Sequence, residues 1–142
     1  MKILFVCTGN TCRSPMAELY FNECRRRIGR SECARSAGIS TFDGADISKN
    51  AFNVMRDEGV DAASFRSTQL TFEMLEEADI ICTMTCNHQK TLAELAPQFA
   101  GKIRTLLENS DVSDPYGGNL QRYRQTFNIM KPELEKLANA LE

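Results

Sequence analysis

The stretch CTGNTCRSPMAE, residues 7–18, sets a cysteine six residues before an arginine, with a serine and a proline directly after it. A thiol attacks as its thiolate, and anything that stabilises the anion raises reactivity. No histidine lies in the stretch, so Cys7 must be activated electrostatically and not by a paired base. A loop leading into a helix supplies that setting. Its backbone N–H groups converge, and the helix dipole adds positive potential. The same features bind phosphate. Arg13 offers a planar fork for two phosphoryl oxygens. Ser14 can hydrogen-bond the sulfur and ease its later departure. Thr8, Gly9, Asn10, Thr11, Cys12 and Ser14 are the candidate phosphate-binding residues. Gly9 is expected to permit the tight curve, and Asn10 to tolerate a left-handed conformation. The chemistry expected is thiolate attack on a phosphoryl group, with Cys7 as nucleophile and Arg13 as clamp.

Neither common nucleotide loop fits. G-x-x-x-x-G-K-[ST] and G-x-G-x-x-G are both absent from residues 7–18. A C-x5-R match alone arises by chance, and a cysteine after a strand is often packing. Strand, C-x5-R-S-P and helix in succession is the more specific signal.

The flanking elements must hold the loop. Lys2–Val6 (KILFV) reads as a buried strand. Pro15 suits a first helical position, with Ser14 as N-cap. Met16, Leu19, Tyr20 and Ile28 continue at helical spacing, and arginines gather near the end. Glu32–Ala37 reads as a second strand, Ser48–Glu58 as a helix stopped by Gly59, and Thr71–Glu77 as a short helix. Ala78–Met84 (ADIICTM) is a further strand, Asn87–Leu95 a helix and Ile103–Leu107 a last strand. Leu120–Leu141 is a long helix in which Pro132 is expected to start a new segment or a kink. Alternation of strands and helices predicts an α/β fold around a parallel sheet, with ligands beyond the carboxyl ends of the strands.

The whole chain sets bounds. Its 142 residues suit one domain, 1–142, with 42% apolar and 25% charged residues. A net charge of −2 gives no reason to expect a nucleic-acid partner. The opening apolar run is too short for a signal h-region or a membrane span, so the expectation is a cytoplasmic protein without a membrane partner. Six cysteines without a secretory signal read as thiols. No C-x-x-C occurs, and His88 is the one histidine, so neither a metal nor a cofactor is expected. His88 is placed on the surface near a helix start, without a role. Cys82 reads as a packing residue.

CTGNTCRSPMAE resembles the signature of the low-molecular-weight protein tyrosine phosphatase family. RSAG at 35–38, ADIICTMT at 78–85 and DPYGG at 114–118 match further landmarks in order, so the likeness spans the chain. It implies a Rossmann-like three-layer fold with a central four-stranded parallel sheet flanked by helices. The activity implied is hydrolysis of a phosphorylated protein through a cysteinyl phosphate, without a cofactor and with inorganic phosphate as product. It also implies Asp114 as general acid, Asn10 and Ser36 in a network supporting the loop, and a monomer. Phenolate leaves better when protonated, its acid having a pKa of about 10, so the chemistry calls for an acid. Asp114 by itself reads equally as a turn residue. One departure is Phe65, where many members carry histidine; altered loop support is expected there.

Within the family, Thr11 resembles a bacterial branch acting on phosphoarginine, where phosphotyrosine-specific members carry an aliphatic residue. Gly117 after D-P-Y points the same way. A hydroxyl at the rim suits a guanidino group, with Tyr116 and Phe42 as walls. Phosphotyrosine is the alternative substrate. A thioredoxin-coupled arsenate reductase, with Cys82 and Cys86 as relay thiols, is a more distant alternative, and a non-catalytic phosphate binder a third. Finally, a loop curled round one phosphate is expected to bring Cys7 and Cys12 close, and the resemblance implies that Cys12 protects an oxidised Cys7 as a disulfide.

Overall fold

A computed structural model describes residues 1–141. The first strand, β1 (Ile3–Cys7), is buried at every position. Alternate side chains explain why it is apolar throughout. Ile3, Phe5 and Cys7 join one core cluster, and Leu4 and Val6 join another on the opposite face. Around it lie β2 (Ala34–Gly38), β3 (Ile80–Thr83) and β4 (Ile103–Thr105). The order is β2-β1-β3-β4, and all pairings are parallel. This is the expected four-stranded sheet. The chain leaves β1 towards β2 and returns on its other side as β3, so the topological switch point lies at β1.

Helices cover both faces. On the Phe5 face lie α1 (Arg13–Arg27), α2 (Lys49–Asp57) and α5 (Leu120–Ala140). Tyr20 of α1 and Phe127 of α5 meet edge to face, with ring centroids 5.0 Å apart. On the Leu4 face lie α3 (Phe72–Glu77) and α4 (Cys86–Leu95), through Met74, Leu75 and Leu92. Thr71 caps α3 by accepting from Met74 N, and Thr85 caps α4 by accepting from His88 N. A 3₁₀ turn, Pro97–Lys102, absent from the sequence reading, leads into β4.

Three expectations are corrected. Ser14 is not the N-cap of α1. Cys12 holds that position without a side-chain cap, and Arg13, Ser14 and Pro15 form the first turn. The Ser14 hydroxyl is already engaged by Cys7 and Asn10. Next, α5 runs unbroken through Pro132. Pro132 and Asn128 are both exposed, so the carbonyl left without an intrahelical partner faces water. The buried stripe of Phe127, Met130, Leu134 and Leu137 continues past it. Lastly, β2 begins at Ala34 and extends to Gly38, two residues later at its start than expected. Asn22 of α1 takes the backbone N–H groups of Cys33 and Ala34 on its Oδ1.

Candidate active site

The loop between β1 and α1 curls over the carboxyl end of the sheet. Asn10 is its left-handed residue, at φ 54°. Gly9 does not supply the curvature: its φ is not positive, and a Cβ there would meet only Thr11 Oγ1, at 3.8 Å. The glycine the curl requires is Gly38, opposite Cys7 in the β1–β2 register. A Cβ at Gly38 would stand 2.7 Å from Thr8 O and 3.1 Å from Asn10 Cβ.

The curl encloses a pocket of about 240 Å³ lined by residues 7–13 together with Asp114 and Tyr116. Among the sequence-predicted residues it thus gathers Cys7, Thr8, Gly9, Asn10, Thr11, Cys12, Arg13, Asp114 and Tyr116. Ser14 and Ser36 lie behind it as support. Phe42 is not among the lining residues; its ring is exposed.

Behind the sulfur runs a chain of buried hydrogen bonds with a definite direction. Thr68 N donates to Asn10 Oδ1 at 2.8 Å. A backbone amide can only donate, so this bond fixes the orientation of the Asn10 amide. Asn10 Nδ2 then donates to Ser14 Oγ at 2.8 Å and to Ser36 Oγ at 2.9 Å. Each serine accepts there and must send its own hydrogen elsewhere. Ser36 donates to Glu18 Oε1 at 2.7 Å, and Ser14 to Cys7 Sγ at 2.8 Å. Asn10 N adds a second donor to the sulfur, at 3.3 Å. Two donors thus converge on one sulfur. Burial raises the Glu18 pKa above the ordinary carboxylate value, against the opposing pull of the Ser36 hydrogen bond.

Phe65 lies apart from these bonds. It packs into the core on the Phe5 face, and the main chain at Thr68, three residues on, holds Asn10.

Arg13 is only 5% exposed. Its Nη1 donates to Val112 O at 2.9 Å, and Val112 N donates to Met84 O just beyond β3. The sheet thereby aims the guanidinium. Its Nη2 lies 3.7 Å from Asp114 Oδ2. Asp114 sits at the mouth, its side chain 54% exposed. Tyr116 N donates to its Oδ1 at 3.0 Å, and Gly118 N to Pro115 O at 2.8 Å closes the turn, with Gly117 at φ 80°. Asp114 is therefore both a turn residue and a pocket residue.

Cys12 faces other partners. Its sulfur lies 3.2 Å from Tyr123 Oη and 3.5 Å from Ser48 Oγ. Burial pushes the Tyr123 phenol up to about 12. All six cysteines are free. Burial pushes the Cys82 thiol up to about 12 inside β3, and Cys86 is exposed at the start of α4.

Sequence reasoning missed Glu18, Thr68, Tyr123 and His88. Glu18 had a signal, four residues after Ser14 on the same helix face. His88 was expected on the surface and is only 7% exposed, because the start of α4 packs against the loop: His88 Nε2 lies 2.9 Å from Thr8 Oγ1.

A buried sulfur with two donors, a clamped arginine and a carboxylate at the mouth, on a β2-β1-β3-β4 sheet, define a cysteine-dependent phosphatase site. Residues 2–142 match the family described as low molecular weight phosphotyrosine protein phosphatase, and the chain belongs to that family. It is similar to the protein-arginine-phosphatase of Bacillus subtilis (strain 168), 36% identical over 100% of this chain and 97% of the relative. Among solved structures, a low molecular weight protein tyrosine phosphatase from T. tengcongensis is 39% identical with a TM-score of 0.93, over 99% of each chain. YwlE arginine phosphatase, in a cysteine-to-serine variant with a phosphorylated active-site serine, is 34% identical with a TM-score of 0.93. That match covers 98% of this chain and 94% of the other.

Proposed function

We propose that this chain hydrolyses phosphoarginine in proteins, with Cys7 as nucleophile, Arg13 as phosphoryl clamp and Asp114 as general acid and base. The observation that carries the reading is the Cys7 sulfur, held by Ser14 and Asn10 N–H in a pocket that also contains Arg13 and Asp114. The thiolate attacks phosphorus, so an S–P bond forms as the P–N bond breaks. The departing guanidino nitrogen takes the proton of Asp114. Asp114, now a carboxylate, deprotonates a water that attacks the cysteinyl phosphate. The S–P bond breaks, inorganic phosphate leaves, and the Ser14 hydroxyl meets the returning sulfur anion. Arg13 and the loop amides neutralise phosphoryl charge throughout, so full activity is expected in EDTA.

The substrate preference rests on Thr11 and on the relatives. Thr11 lines the pocket, and a guanidino group is rich in N–H donors that a hydroxyl oxygen can accept. Relatives from Bacillus subtilis and Geobacillus stearothermophilus carry the name protein-arginine-phosphatase. Phosphotyrosine is the second reading, favoured by the exposed Tyr116 ring at the mouth and by relatives named protein-tyrosine-phosphatase. The ratio of kcat/KM on a phosphoarginine protein to that on a phosphotyrosine peptide separates them. A ratio above one supports arginine, and Thr11→Ile should lower it roughly tenfold. A ratio below one, unmoved by Thr11→Ile, overturns the assignment. The buried Cys82 makes an arsenate relay through that thiol unfavourable.

Redox control belongs to the same reading. Peroxide oxidises the Cys7 thiolate to a sulfenic acid, and Cys12 displaces its hydroxyl to form a disulfide. Both cysteines are among the residues lining one pocket, which supports this role for Cys12. After peroxide, dithiothreitol should restore wild type and fail to restore Cys12→Ser. Six free thiols suit a reducing, cytoplasmic compartment, and the chain is proposed to act as a monomer.

A further inference from the structure

His88 is the one histidine of the chain, and its two ring nitrogens meet different surroundings. Nε2 lies 2.9 Å from Thr8 Oγ1. Nδ1 is buried and has no hydrogen-bond partner among the described residues. The ring is held in place from its own backbone. His88 N donates to Thr85 Oγ1 at 3.0 Å, and the neighbouring Cys86 N donates to Asp111 Oδ1 at 2.7 Å.

A neutral imidazole carries one N–H and one bare nitrogen. Orphaned buried N–H groups are rarer in proteins than orphaned acceptors, so the proton belongs on Nε2, where it has a partner. Thr8 Oγ1 then accepts from His88, and the hydroxyl hydrogen of Thr8 must point away from the ring. Thr8 lines the pocket with Cys7 and Arg13. The charged groups facing His88 are Arg13 from α1 and Asp111 and Asp114 from the segment after β4. Burial lowers its pKa most, Arg13 lowers it further, and the two carboxylates oppose them without reversing the direction. The ring is therefore neutral at pH 7, as the assignment needs.

We propose that His88 is a positioning residue: its Nε2–H holds Thr8 Oγ1 so that the Thr8 hydroxyl donates to an oxyanion in the Cys7 pocket. This deepens the phosphatase reading and rests on it. Thr8 touches the phosphoryl group, and His88 acts through Thr8.

The test combines kinetics with a spectroscopic readout on the full chain. Thr8→Val keeps the shape and removes the hydroxyl. His88→Leu removes the donor, and His88→Gln offers an N–H near the Nε2 position. Thr8→Val and His88→Leu should each lower kcat/KM and weaken inhibition by inorganic phosphate about three- to tenfold. The double variant should be no weaker than either single one, and His88→Gln should return to within about twofold of wild type. Ring ¹⁵N spectra of wild type, unambiguous with one histidine, should show Nε2 protonated near pH 7 and shifted by inorganic phosphate. Losses that multiply in the double variant overturn the proposal. So does a proton found on Nδ1, a result that needs no variant to fold. Wild type that fails to hydrolyse any phosphate ester or amidate would sink the phosphatase reading instead, so the two failures are distinguishable.

Discussion

Two cavities lie at opposite ends of the sheet, and the smaller of the two is the candidate site. The larger, about 520 Å³, lies at the amino ends of β1 and β2, lined in part by Lys2, Arg25, Cys33, Arg35 and Glu77. The smaller, about 240 Å³, lies at the carboxyl end of β1. The difference is in what the buried polar groups do. Near the large cleft Asn22 spends both ends of its amide on the main chain at Cys33 and Ala34. Arg25 likewise donates to the carbonyls of Ser31 and Ala138. These bonds hold the chain. At the small pocket Asn10, Ser14 and Arg13 are held from behind, and their far ends converge on a sulfur and an open space. Volume does not mark the site; directed donors do.

The sharpest way to break that contrast is to remove a cysteine from each end. Cys7→Ser should lower turnover by at least about 10⁴-fold, yet still bind inorganic phosphate, because Arg13 and the loop amides remain. Cys33→Ser should leave turnover within about twofold. Comparable losses in the two would end the distinction. Asp114→Asn comes next. It should lower kcat about 10²–10⁴-fold on substrates with poor leaving groups and much less on p-nitrophenyl phosphate, whose anion leaves unaided. Equal loss on both would remove Asp114 as the acid.

Stability should divide the other way. Asn22→Ala strands the N–H groups of Cys33 and Ala34, partly buried, and should cost about 1–3 kcal/mol in urea unfolding with kcat/KM unchanged in the folded protein. The smallest effect concerns His88. Its pKa is lowered in the folded chain, by burial and then by Arg13, so folding favours the neutral ring. That contribution is present above the ordinary value of 6.5 and is lost as pH falls from 6.5 through the folded value. Glu18, raised by burial from 4.5, acts in the opposite sense as pH falls. The difference between wild type and His88→Gln isolates the histidine. It should shrink as pH falls below 6.5, and a constant difference from pH 7.5 to pH 5 would contradict it.

What the sequence revealed follows from distance along the chain. Cys7, Arg13 and Ser14 fall within eight consecutive residues, and their chemistry depends on a strand before and a helix after, both readable from apolar spacing and from Pro15. The sheet was readable for the same reason, since each strand is a short apolar run between helical patterns. Asp114 was legible only through family likeness, because a D-P-Y-G-G turn has a purely structural meaning of its own. Among the supporting partners, Ser36 was legible only through family likeness, and Thr68 and His88 were not legible at all. Asn10 reaches 26 residues to Ser36 and 58 to Thr68, and Thr8 reaches 80 to His88. Spacing rules do not extend that far. Asn10 is left-handed as its type suggested, and the close approach that needs a glycine falls at Gly38, 31 positions after Cys7.

The most direct measurement is to trap the phosphoryl group on the enzyme. p-Nitrophenyl phosphate, whose anion leaves without an acid, is mixed with excess Asp114→Asn, quenched within one turnover, digested and examined by mass spectrometry. The slow acid–base step should let the intermediate accumulate, with one phosphoryl group on the peptide that contains Cys7 and none on peptides containing Cys33 or Cys86. Stoichiometric release of inorganic phosphate with Cys7 unmodified at every quench time would contradict nucleophilic catalysis by Cys7.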